Sequence, residues 1–134
     1  MTTWLQYAIA FVVFCHGFIY VRIGSVLPGP IPEWEGNSWL LGNAVVGHRL
    51  TTLIVGLHVI AGMGTLATAL AIGLAPQFPG WWRPLAIGGA ALGIVAFAVF
   101  WDGQTQFLLQ EGVIGAVISL TLLVSAIAFP GAFR

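Results

Sequence analysis

Apolar and polar residues follow one another along this chain in long blocks, without the short period of a water-soluble helix or strand. Four apolar runs stand out: Trp4 to about Gly24, a second that starts near Gly42 and whose apolar part is Leu50 to Ala75, Trp82 to Trp101, and Phe107 to Phe129. Each reaches the about 20 residues needed to cross the hydrocarbon of a bilayer as a helix. The pattern predicts helices over about 4–24, 42–75, 82–101 and 107–129. The expected fold is an all-α integral membrane protein, a compact antiparallel four-transmembrane-helix bundle forming a single domain over residues 1–134. The second run exceeds the required length and is expected to tilt or to extend into the headgroups.

The connections differ in kind. Pro76-Gln77-Phe78-Pro79-Gly80 reads as a tight turn, which makes the second and third helices antiparallel neighbours, with Trp81 and Trp82 anchoring the third at the interface. Asp102-Gly103-Gln104-Thr105-Gln106 is a short turn at the opposite end. The longer outer loop from Ser25 to Leu41 opens with Pro28-Gly29-Pro30-Ile31-Pro32, too rich in proline for a helix. Trp34 and Trp39 then predict a segment lying at the membrane surface, with Asn37 or Ser38 as the N-cap of a short helix leading into the second run.

Charge sharpens this picture. Only eight of the 134 residues are Asp, Glu, Lys or Arg, none is Lys, and 59% are hydrophobic. A soluble domain carries about a quarter charged residues. The side holding the N-terminus, the Pro76–Gly80 turn and the C-terminus has Arg83 and Arg134 and no acid, whereas the other side has Arg22, Arg49, Glu33, Glu35, Asp102 and Glu111. Positive charge faces the cytoplasm, so both termini are expected to be cytoplasmic; the arginines divide two and two, and the lack of acids adds little because acids barely affect topology. The first run lacks a basic n-region and a cleavage site and reads as a mature helix. Cys15 is the only cysteine, so no intrachain disulfide forms. Two outward arginines make no basic patch, and nucleic acid is excluded as a partner.

Small residues mark helix contacts, because helices in lipid associate by close backbone approach. Gly62, Gly89, Gly93 and Gly115 are the expected packing positions, and Gly89-x-x-x-Gly93 together with Ala86, Ala90 and Ala96 offers more small surface than one neighbour needs. The surplus predicts a docking face for another membrane subunit.

Polar groups within apolar runs are the functional candidates. His16 and Tyr20 share a face at i,i+4 spacing, and His58 shares one with Thr51, Gly62 and Thr65. His48 and Arg49 stand at the outer end of the second run, Asp102 ends the third, and Glu111 opens the fourth on a face with Gly115 and Ser119. An antiparallel arrangement brings His16, Tyr20, His48, Arg49, His58, Asp102 and Glu111 together in the outer half, with Arg49 expected to pair with Asp102 or Glu111. His16 and His58 have three readings: hydrogen bonds inside the protein, axial ligation of a haem or chlorophyll-type pigment, or polar contact to a quinone, sterol or other lipid. No metal-chelating pair, catalytic triad or phosphate loop is present in the sequence, so no catalytic or metal-ligating residue is assigned.

The strings His16-Gly17-Phe18-Ile19-Tyr20, Ser38-Trp39-Leu40-Leu41-Gly42, Trp81-Trp82-Arg83-Pro84-Leu85-Ala86-Ile87 and Phe100-Trp101-Asp102-Gly103 resemble small bacterial four-helix membrane proteins of DoxX-like type. The resemblance implies a four-helix bundle in a bacterial inner membrane, and for some members quinone-linked oxidation, with no catalytic residue transferable to this chain. Two function classes follow. The first is a non-catalytic accessory subunit of a larger, energy-transducing membrane complex. The second is a binding protein or enzyme for a lipophilic molecule such as a quinone or lipid, held in an outward-facing polar pocket.

Overall fold

A computed structural model describes residues 3–26, 38–45, 47–103 and 112–133. Among the described residues there are four α-helices: α1 (Thr3–Val26), α2 (His48–Gly73), α3 (Trp82–Phe100) and α4 (Val113–Ala128). No strand occurs among the described residues. Three of the helices, α1, α2 and α3, are long and apolar enough to cross a membrane, and α4 is a shorter apolar helix.

Two boundaries differ from the sequence reading, for local reasons. The second run is not one helix from Gly42. Gly42–Ala44 forms a single 3-10 turn, Val45 is extended, and Gly47 takes a positive φ of 61° immediately before α2 begins at His48. The fourth helix does not run from Phe107 through to Phe129. Gly112 sits at φ 95°, a left-handed conformation that a right-handed helix cannot pass through, so α4 starts at Val113. Residues 107–111 lie outside the described residues. Ser38 receives the Leu41 N–H on its Oγ at 3.3 Å, capping the turn that precedes the 3-10 segment; Asn37 and Trp34 lie outside the described residues. Trp39 ties this segment to the end of α3, donating its N–H to the Trp101 carbonyl at 2.8 Å and stacking obliquely on the Trp101 ring.

The helices pack in chain order, α1 on α2, α2 on α3 and α3 on α4. Contact register makes each pair antiparallel. Gln6 and Tyr20 of α1 meet Ile72 and His58 of α2, Gly64 and His58 of α2 meet Gly89 and Phe100 of α3, and Arg83 and Gly93 of α3 meet Ala126 and Ser119 of α4. One end is latched by side chains that reach last-turn carbonyls, although the Ile72 carbonyl also accepts the Ala75 N–H at 3.3 Å. Gln6 Nε2 donates to Ile72 O at 2.6 Å, and Arg83 Nε donates to Ala126 O at 3.0 Å. Between these latches lies an apolar core around Ile72, Trp82, Ala86, Ala90 and Ala126, with the Trp82 ring edge-on to Phe133.

Polarity is inverted relative to a soluble protein. Trp4, Phe11, Phe18, Ile60, Met63 and Ile127 are exposed, while His16, Tyr20, His58, Thr65, Thr68 and Ser119 are buried. The buried threonines are satisfied within α2, Thr65 donating to Ala61 O and Thr68 to Gly64 O.

Glycines set the helix separations. A Cβ at Gly62 would lie 2.9 Å from the Gly17 carbonyl oxygen, and one at Gly89 would lie 2.9 Å from both the Gly64 carbonyl carbon and the Thr65 nitrogen. A Cβ at Gly93 would lie 2.6 Å from Ser119 Oγ and 2.8 Å from the Tyr20 hydroxyl. The Gly89-x-x-x-Gly93 ridge is therefore not surplus surface. Gly89 faces α2, Gly93 faces both α1 and α4, and the ridge is occupied by the chain's own helices. Gly88 has open space beside it. Gly89→Ala should destabilise the protein by about 1–3 kcal/mol, the range for overpacking against backbone that cannot yield, while Gly88→Ala should melt at or above the parent temperature. A thermal melt in detergent that ranks the two variants equally would contradict this packing.

Candidate functional site

His16 and Tyr20 of α1, His58 of α2 and Ser119 of α4, all buried, converge away from the Gln6 and Arg83 latches. His16 and Tyr20 lie one helical turn apart on α1, their rings edge-on at 4.8 Å between centroids. Tyr20 is tilted against His58 of α2 at 5.6 Å, and His58 is edge-on to Phe100 of α3 at 5.6 Å. Three hydrogen bonds complete the cluster: His16 Nε2 to Ser119 Oγ at 3.1 Å, Tyr20 Oη to Ser119 Oγ at 3.2 Å, and Tyr20 Oη to the Gly93 carbonyl at 3.2 Å.

The direction of each bond follows from counting protons. A carbonyl oxygen only accepts, so the single Tyr20 hydroxyl proton points to Gly93 O. Tyr20 Oη then accepts from Ser119, which uses the one serine proton. Ser119 Oγ in turn accepts from His16, which fixes the proton on Nε2 and leaves Nδ1 bare in the neutral ring. The chain runs one way, from the His16 N–H through Ser119 and Tyr20 to Gly93, and spans α1, α4 and α3. The same logic applies to His58. Its Nδ1 is 2.9 Å from the Ile54 carbonyl and must donate, which leaves Nε2 bare. Among the described residues, neither bare nitrogen has a protein partner.

A cavity of about 260 Å³ opens beside this chain. His16 and Tyr20 from α1, His58 from α2, Phe97 from α3 and Gly115 from α4 line it. It occupies the seam between α1 and α4, the helix pair joined through the Ser119 bonds and not by extended packing. Ile19 and Ile114, both exposed, stand on either side of the seam and form an apolar rim. The lower limit for pockets that hold a drug-sized ligand is about 300 Å³. The cavity is thus sized for one ring or a compact headgroup, with an attached tail passing out between the rim isoleucines. A haem or chlorophyll macrocycle would not be enclosed.

Of the seven candidate residues, His16, Tyr20 and His58 line this cavity. His48 and Arg49 are exposed in the first turn of α2, away from it. Asp102 is half-buried just beyond α3 and is not among the lining residues, and Glu111 lies outside the described residues. Asp102 has interaction partners of its own. Gly93 and Ser119 are the additions. Ser119 was legible only as part of a small, polar face, and Gly93 acts through a backbone carbonyl, for which side-chain chemistry carries no signal. No group of three or more His, Cys, Asp or Glu able to hold a metal ion occurs among the described residues.

No family model, curated protein or solved structure matches this chain.

Proposed function

We propose that this chain is an integral membrane protein that binds a lipophilic small molecule in the seam between α1 and α4. The observation that carries the reading is the α1–α4 cavity, which combines a wall of buried, hydrogen-bonded polar side chains with an apolar rim. In water such a rim would be a liability, but against acyl chains it is a side entrance. The membrane setting is supported by the inverted polarity, with large apolar residues outward and His, Tyr, Thr and Ser inward. The accessory-subunit reading rested on minimal loops, small-residue faces and the lack of a catalytic constellation; of these supports it loses the Gly89–Gly93 ridge, which is in contact within the chain.

The proposed setting is a bacterial inner membrane, in keeping with the DoxX-like resemblance of the short strings. The end that carries the Pro76–Gly80 turn and Arg83 is proposed to face the cytoplasm: its only charges are basic, although the arginines divide two and two between the sides. The cavity then lies in the outer half of a four-helix bundle.

Two measurements test this reading. Gly115 lines the cavity, and a Cβ there makes only ordinary contacts, 3.5 Å from His16 Cε1 and from the Tyr20 hydroxyl. A larger side chain at this position fills the cavity. Native mass spectrometry of gently purified protein should therefore show a co-purifying lipophile that is lost in Gly115→Leu, with helicity retained. An identical adduct pattern in parent and variant would place any bound molecule elsewhere. For orientation, Gln77→Cys in a Cys15→Ala background should react with an impermeant maleimide only after the cells are opened. Labelling from outside intact cells would reverse the topology.

A further inference from the structure

We infer that the cavity selects a neutral lipophile whose head carries a hydroxyl, held as a hydrogen-bond donor to His58 Nε2. The inference rests on the proposed seam site and adds the chemistry of its ligand.

Proton counting supplies the first step. The Tyr20 proton is used on Gly93, the Ser119 proton on Tyr20, and the His16 Nε2 proton on Ser119. The His58 Nδ1 proton is used on Ile54. Among the described residues, the polar side chains that line the cavity consequently present lone pairs and no spare proton. His58 is only 2% exposed and His16 only 4%. Both rings are thus more than nine-tenths buried, with one nitrogen each lacking a protein partner among the described residues.

Those nitrogens are not sealed off. Fully enclosed side-chain nitrogens without a partner are confined, among the described residues, to Trp82 Nε1, at the far end of α3. Both His16 and His58 line the cavity. A buried acceptor left without a donor costs free energy, and a hydroxyl brought in by the ligand removes that cost.

The neutrality of the ligand follows from the walls. Among the described residues no Asp, Glu, Lys or Arg lines the cavity, so a carboxylate, phosphate or ammonium head would enter without a counter-charge from them. A ring-sized head such as a phenol fits the volume. An ether of the same shape also fits, but it offers the histidines only another lone pair. A quinone's carbonyl oxygens have the same shortcoming towards these two nitrogens.

The test compares a long-chain 4-alkylphenol with its methyl ether, as radiolabelled probes, by equilibrium binding to the detergent-solubilised protein, with empty micelles as the blank. The phenol should bind about fivefold more tightly than the ether, the effect of one added neutral hydrogen bond. In His58→Phe, which keeps a ring but has no nitrogen, phenol affinity should fall to that of the ether while ether affinity is unchanged. Equal binding of the two probes to the parent protein would overturn the inference and leave the seam site standing. Binding of neither probe above the blank would overturn both. The parent comparison decides the matter even if His58→Phe does not fold.

Discussion

One hydroxyl organises this molecule. Tyr20 Oη reaches the Gly93 carbonyl on α3 and Ser119 on α4 from its position on α1, so a single oxygen joins three helices. Because that oxygen carries one proton and one of its partners is a carbonyl, the direction of every other bond in the cluster is fixed. The tautomer of His16, the rotor of Ser119 and the lone pair left beside the cavity all follow from it. A buried polar network is favourable only when each member is satisfied. Here the network is satisfied up to its edge, and its unmet acceptors lie where a ligand can reach them.

The hydroxyl can reach both partners only because the backbone allows it. Gly93 has no Cβ, and any side chain there would occupy the space of Tyr20 Oη and Ser119 Oγ. Gly17 against Gly62, and Gly64 against Gly89, bring α1, α2 and α3 to backbone contact, which places His58 beside Tyr20. The α1–α4 seam has no such glycine pair. It is held by side chains, with the cavity between them. The packing device that closes three helices together thus leaves the fourth seam open.

Much of this was legible in the sequence, and the limits are physical. The spans of α1 and α3 can be read to within a few residues, because about 20 residues of unbroken apolarity match the length of a membrane-crossing helix and exceed that of an ordinary buried one. Helix α4 cannot, since one left-handed glycine at position 112 ends the helix without changing the hydropathy of the run. His16, Tyr20 and His58 are visible as polar residues set in apolar stretches. Their separation from His48, Arg49 and Asp102 is not, because it depends on depth along the helices and on which faces meet. The Gly89–Gly93 ridge shows the same limit: a row of small residues declares close contact, but not with which helix. Gly93's second role, as a carbonyl acceptor, leaves no trace in side-chain chemistry.

The central claim is that the proton chain leaves two specific imidazole nitrogens bare. Nitrogen-15 NMR of histidine-labelled protein in nanodiscs tests it directly, since protonated and bare ring nitrogens resonate far apart. The account predicts a neutral His16 protonated at Nε2 and a neutral His58 protonated at Nδ1. The reverse tautomer at either residue, or a doubly protonated ring, would contradict it.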